Sequence, residues 1–110
     1  MQLNMFFPST VYRLADQIAY ADGSVVSKIV SKKDTGNITL FSFDKGQGLS
    51  EHTAPFDAFI QVLEGTASVS IDNKPYTLNA GDAINMPAGI PHAVFAAEKF
   101  KMLLTMIRSK

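Results

Sequence analysis

Turn residues divide most of this sequence into short apolar stretches, and this spacing constrains the fold more than any other feature. After Asp22-Gly23, segments rich in Val, Ile, Thr and Phe alternate with clusters of Gly, Asp, Asn, Lys and Pro. The predicted strands are residues 24–32, 37–43, 57–63, 66–71, 76–78, 83–86, 93–96 and 100–107. Many short strands with turns about every 8 to 12 residues are typical of a β-sandwich or β-barrel, so we predict an all-β fold.

The segment before the strands, residues 1–23, contains the only helix that the pattern predicts. Leu14, Ala15 and Ile18 would share one side of a helix over residues 14–20. A helix of about two turns is too short to dominate a fold. Since 110 residues accommodate one domain, we predict a single domain over residues 1–110, with the barrel strands in residues 24–110.

Composition excludes several classes of function. Ten Lys+Arg balance ten Asp+Glu, which argues against a non-specific nucleic-acid or anionic-membrane partner. With no cysteine, disulfide scaffolds, zinc ribbons, iron–sulfur sites and thiol catalysis are excluded. No basic residue precedes Arg13 and no apolar run approaches the length of a membrane span. We therefore expect a cytoplasmic protein with no nucleic-acid and no membrane partner.

The chain has two histidines, His52 and His92, and each lies in a segment with regularly spaced glycines. A lone histidine is more often a surface or satisfied polar residue than a ligand. Here the spacing of the surrounding residues changes that expectation. The segments are Gly46-x5-His52-x-Ala54-x3-Ala58-x6-Gly65, residues 46–65, and Gly81-x5-Pro87-x-Gly89-x2-His92-x3-Ala96, residues 81–96.

These segments resemble the two signature motifs of the cupin superfamily, Gly-x5-His-x-His-x3,4-Glu-x6-Gly and Gly-x5-Pro-x-Gly-x2-His-x3-Asn. Within the superfamily, the chain looks like a small single-domain bacterial cupin of the conserved-barrel type. The resemblance implies an RmlC-like double-stranded β-helix, a jelly-roll barrel, with both motif histidines facing each other in one mouth. It also implies a homodimer in which an N-terminal strand, here residues 24–32, crosses to the neighbour; the alternative is an ordinary edge strand within one subunit.

The departures from the family pattern limit what the resemblance implies about metal. Family members bind a divalent ion through three histidines and a glutamate, but Ala54 and Ala58 occupy two of these four positions here. If a metal binds, we expect a divalent iron, manganese, nickel or zinc ion held by His52, His92 and an unidentified third ligand. Otherwise we expect no cofactor.

The polar side chains near His52 occupy strand positions that are expected to face away from the barrel interior, so none of them is an obvious third ligand. Glu51, Asp57 and Gln61 lie next to inward positions, and neighbouring residues of a strand point to opposite faces. Two imidazoles fall short of the three protein ligands of catalytic zinc and non-haem iron sites.

The same inward face also predicts a pocket for a small molecule. It would be apolar, made roomy by alanines, with two polar groups at its mouth. Some of Met102, Leu104 and Met106 would form its floor. The predicted lining residues are His52, Ala54, Ala58, Ile60, Met86, His92 and Val94.

Three functions remain open on the sequence alone. The first is binding of a small-molecule ligand around His52 and His92. The second is a metal-dependent enzyme, dioxygenase- or isomerase-like, using both histidines and a further ligand. The third is a dimeric scaffold without catalysis. No residue pattern assigns a catalytic residue, and fold alone does not choose among these functions.

Overall fold

The computed structural model describes residues 6–108. In chain order its elements are a 3-10 turn at Leu14–Asp16 and the strands Val25–Lys33 (β1), Gly36–Phe43 (β2), Gly48–His52 (β3), Phe56–Ile71 (β4), Lys74–Asn79 (β5), Ala83–Met86 (β6), His92–Phe95 (β7) and Phe100–Arg108 (β8). No helix within residues 6–108 is long and apolar enough to cross a membrane.

The strands pair antiparallel around β4. Their hydrogen-bonded order is β1-β2-β8-β4-β7-β3, and β5 and β6 also pair with β4. The first half of β4 pairs with β6 and β8, and its second half pairs with β5 and β7. Apolar side chains from both halves meet in one core, around which the sheet curls. The prediction of an all-β fold is confirmed.

Strand β4 is continuous for 16 residues, Phe56–Ile71. The sequence predicted two strands separated by a turn at Glu64-Gly65, and this prediction is wrong. The register of β4 against β8 instead shifts between Val62 and Glu64, and Gly65 has a φ of 78°. A Cβ at position 65 would collide with the carbonyl oxygen of Lys99. The glycine therefore serves a bend inside a strand, where a bulge uses the same residue type as a turn.

This bend changes which side chains of β4 face the core. Buried positions are even-numbered before it and odd-numbered after it: Ala58, Ile60 and Val62, then Ala67 and Val69. One extra residue in a strand reverses the alternation of faces. The segments 57–63 and 66–71 therefore bury positions of opposite parity, although they belong to one strand.

The N-terminal segment lies along the outer face of the sheet and does not form the predicted helix over residues 14–20. Only Leu14–Asp16 form a 3-10 turn. Three sheet side chains donate hydrogen bonds of 2.6 to 2.8 Å to alternate carbonyls of the segment: Lys101 Nζ to Ala15, Lys28 Nζ to Gln17 and Ser42 Oγ to Ala19. An α-helix needs those carbonyls for its own amides, so the sheet competes with the helix for them.

Strand β8 has apolar residues on both faces, but the two faces are covered differently. Its core face includes Phe100, which stacks on Phe43 with ring centroids 4.6 Å apart and 11° between the planes. On the outer face, Lys101 is covered by the N-terminal segment, whereas Ile107 is 60% exposed. At one end, the outer face of β8 is thus covered by the chain's own N-terminal segment.

The two edge strands of the sheet are β3 and β1. Strand β3 was not predicted, because it is short and mostly exposed and so lacks an alternating pattern. Strand β1 pairs with β2 of its own chain along Val25–Lys33. Within this subunit β1 is an edge strand, and its crossing to a neighbouring subunit stays a prediction.

Candidate functional site

The two histidines are brought together by the pairing of β3 with β7. His52 ends β3, His92 begins β7, and the two are direct partners in the register. Their ring centroids are 4.5 Å apart and the rings meet edge to face at 69°. The prediction that these side chains face each other is confirmed. His52 is exposed, whereas only 5% of His92 is accessible, so the pair runs from the surface into the barrel.

The loop before His92 is held in place by hydrogen bonds to the start of β4 and to the residues just before it. The Asp57 Oδ1 atom accepts the Ala88 N–H at 2.9 Å, and the Ala54 carbonyl accepts the Gly89 N–H at 2.9 Å. These contacts, with two prolines that restrict the loop, reduce the conformational freedom of the ring at position 92. Asp57 therefore acts on the loop and does not face the cavity, as its strand parity predicted.

Each imidazole is fixed in one tautomer by its own backbone. His52 Nδ1 lies 2.8 Å from the Ser50 carbonyl oxygen, and His92 Nδ1 lies 3.2 Å from that of Ile90. Because a carbonyl oxygen only accepts, each neutral ring carries its proton on Nδ1. The Nε2 atom of each ring then keeps a lone pair, and no side chain or backbone group in residues 6–108 hydrogen-bonds to it.

Burial favours the neutral form of His92. Removal from water lowers the pKa of His92 below its usual range. The hydrogen bond to Ile90 opposes this effect, and the neighbouring His52 adds to the lowering of the pKa. His92 is therefore suited to accept a hydrogen bond, a proton or a coordinate bond through Nε2.

The histidines lie at one end of a small apolar cavity of about 40 Å³. All seven residues predicted to line a pocket do line this cavity, and Met102, Leu104 and Met106 join them as its floor. Leu49 also lines it and was missed, because its strand was not predicted. The lining residues are Leu49, His52, Ala54, Ala58, Ile60, Met86, His92, Val94, Met102, Leu104 and Met106.

The volume of the cavity corrects the expectation of a roomy pocket. Sites for drug-sized ligands span about 300 to 1,000 Å³, whereas this one accommodates one or two water-sized groups. Long flexible side chains, three of them methionines, fill the space that the alanines leave.

The residues present do not fit the divalent metal site that the family pattern implies. His52 and His92 offer two nitrogens, while Ala54 and Ala58 offer no donor atom. The described part of the chain has no group of three or more His, Cys, Asp or Glu residues that could hold a metal ion. Since zinc and non-haem iron sites use three protein ligands, the third ligand is not found among these residue types.

Comparisons with known proteins agree with the fold and the motifs. The model of a family described as "Cupin domain" matches residues 39–108. A search of curated proteins gave no match.

Solved structures resemble the whole chain closely. A conserved protein of unknown function from Streptococcus pyogenes is 36% identical, with a TM-score of 0.91, over 97% of this chain and 93% of that protein. A cupin 2 conserved barrel domain protein from Leptotrichia buccalis is 40% identical with a TM-score of 0.85; the match covers 88% of this chain but 47% of that protein. A cupin superfamily protein from Desulfitobacterium hafniense is 29% identical with a TM-score of 0.86, over 91% and 92% of the two chains.

Proposed function

This chain belongs to the cupin family, and from that premise we propose that it binds a small molecule at the mouth of its barrel, between His52 and His92. The observation that carries the proposal is the pair of imidazoles whose Nδ1 atoms are occupied and whose Nε2 lone pairs are available beside an apolar cavity. Convergent polar groups at the end of an apolar cavity are the usual composition of a ligand site.

The chemistry of the two rings indicates which end of a ligand they would hold. A neutral imidazole with its proton on Nδ1 accepts at Nε2, so the ligand would donate hydrogen bonds from hydroxyl or amino groups. The cavity of about 40 Å³ admits a methyl-sized group beneath them. The rest of a larger ligand would lie outside, beside the exposed His52. A hydroxyl-bearing end group with a short apolar extension fits these constraints.

A ligand-observed NMR screen of small alcohols, diols and amines tests this proposal. It compares the wild type with His52→Ala/His92→Ala, which removes both acceptors, and with Ala58→Phe, which fills the cavity. Ala93→Phe is a matched control, because Ala93 on β7 neighbours His92 but points to the other face of the sheet. We expect binding to persist in the control and to be lost in the other two variants. Binding that survives Ala58→Phe would show that the proposed pocket is wrong.

Elemental analysis of the same proteins separates the two alternatives. Near-stoichiometric iron, manganese, nickel or zinc that disappears in the double histidine variant would favour the metal-dependent enzyme. Absence of any ligand or metal, with no phenotype for the histidine variant in cells, would favour the scaffold. Circular dichroism confirms in each case that the variant is folded.

We also propose that the protein is a homodimer that buries the exposed outer face of β4 and β8. Phe59 is 40% exposed and Ile107 is 60% exposed, and their strand positions put them on the same outer face. Covering apolar surface of this kind is a common driving force for association. Light scattering after size exclusion should give a dimer for the wild type and a monomer for Phe59→Lys/Ile107→Lys. A monomeric wild type at micromolar concentration would refute the dimer.

A further inference from the structure

The side chains around the histidine pair suit a different metal from the one that the family pattern implies. We infer that His52, His92, Met86 and Met106 form a binding site for Cu(I). The inference rests on the proposed role of the histidine pair as the binding site, but it does not depend on which organic ligand the pair holds.

The register of β4 places two thioethers beside the position that has lost its carboxylate. Ala58 stands where the family has a metal-binding glutamate. Its two cross-strand partners are Met86 on β6 and Met106 on β8. Directly paired residues of neighbouring strands project to the same face, with Cβ atoms about 4.5 to 5.5 Å apart. The methyl group of Ala58 offers no donor atom, and Met86 and Met106 line the cavity on either side of it.

The donor set is neutral and contains soft donors, which selects against the divalent ions of the family. Thioether sulfur is a ligand for Cu(I), and imidazole binds copper as well as zinc and iron. Carboxylates, which suit harder ions, are missing from the cavity lining. Burying a singly charged ion among neutral ligands also costs less solvation free energy than burying a divalent one, because that cost rises with charge.

Two further features suit the site to a metal ion: the hydrogen bonds that orient the imidazoles and the small volume of the cavity. The Nδ1–H of each ring is directed to a backbone carbonyl, which is the outer hydrogen bond that orients a metal-binding histidine and leaves Nε2 to coordinate. The cavity of about 40 Å³ suits a single ion better than a molecule of many atoms. A low-coordinate Cu(I) ion needs no fifth protein group.

An anaerobic titration with Cu(I), in competition with the chromogenic chelator bicinchoninate, tests the inference. Wild type is compared with Met86→Leu/Met106→Leu, with His52→Ala/His92→Ala, and with Leu78→Met, a volume-conserving core substitution outside the cavity lining, as the control. Leucine replaces methionine in a core at a cost below about 1.5 kcal/mol, so the variants should fold. Leu78 on β5 is buried, pairs with Ala67 in the other half of β4 and does not line the cavity.

We expect one equivalent of Cu(I) for the wild type and the control, and a loss of about tenfold or more in affinity for the other two variants. Copper K-edge X-ray absorption of the loaded wild type should show sulfur as well as nitrogen neighbours. Failure to compete with the chelator, or unchanged affinity and sulfur scattering in Met86→Leu/Met106→Leu, would overturn the site. If Cu(I) does not bind but small alcohols or amines still bind through the histidines, the Cu(I) site is refuted and the small-molecule site is not. If neither binds, both proposals are refuted.

Discussion

Replacing Ala58 with valine tests whether the cavity is space that the fold can fill. The variant adds two carbon atoms to a side chain that is 3% exposed and borders a cavity of about 40 Å³. Each buried CH₂ group contributes about 0.8 kcal/mol, so the upper limit of the gain is about 1.6 kcal/mol. Allowing for imperfect fit, we expect the free energy of unfolding to rise by about 1 kcal/mol.

Ala67→Val is the matched control on the same strand. Ala67 is fully buried in the packed half of β4 and does not line the cavity. The added carbons have no space there, and overpacking costs about 1 to 3 kcal/mol. The preference of valine for strands is common to both variants, so it cancels from the comparison.

Urea unfolding followed by circular dichroism measures both free energies, and thermal unfolding should shift by about 4 to 8 °C per kcal/mol. The two variants should change stability in opposite directions. Destabilisation of Ala58→Val by as much as Ala67→Val would refute the reasoning, since it would mean that position 58 has no free space. We also expect Ala58→Val to weaken ligand binding while it raises stability, because the same space serves both.

Three further predictions concern groups that hold the site. The pKa of His92 is lowered in the folded protein, so the neutral ring stabilises the fold fully above pH 6.5, the pKa of the unfolded chain, and this stabilisation is lost as the pH falls through the folded pKa. Urea unfolding between pH 8 and pH 5 should show the free energy of unfolding fall. An equal fall in a His92→Gln variant would disprove this assignment to His92. Gly65→Ala should cost more than about 2 kcal/mol, against about 1 to 2 kcal/mol for Gly46→Ala, where φ is also positive but nothing lies within 4 Å; equal losses in denaturant unfolding would contradict the steric argument. Asp57→Ala should cost about 1 to 2 kcal/mol and speed amide exchange at Ala88, whereas unchanged exchange would mean that the loop is held by other contacts.

The histidine site could be predicted from the sequence because its information is local. The spacing of glycine and proline around His52 and His92 indicated a barrel in which the two rings meet, and strand parity excluded Asp57 as a ligand. The alternation of side chains along the strand also identified Ala58 and Ile60 as residues that line the cavity. These inferences need only the period of a strand and the order of the motifs.

Features that depend on tertiary contacts could not be predicted from local sequence patterns. Residues 14–20 have a helical pattern, but side chains of the sheet take carbonyls that a helix would use. One of them, Lys101, lies 86 residues along the chain from its partner Ala15. Glu64-Gly65 has the composition of a turn whether the chain reverses or bends within a strand. The cavity volume depends on how the methionines pack, which no spacing rule determines.

The central position of β8 has a consequence for how this chain acquires its structure during synthesis. Strand β8 lies between β2 and β4, yet the ribosome makes it after both. Until Phe100–Arg108 has left the exit tunnel, β1 and β2 can form only an isolated hairpin, and β2 and β4 each leave an edge of backbone donors and acceptors unpaired. The nascent chain therefore carries two open strand edges until β8 inserts between them, and folding of this sheet is completed after translation of β8 rather than stepwise along the chain.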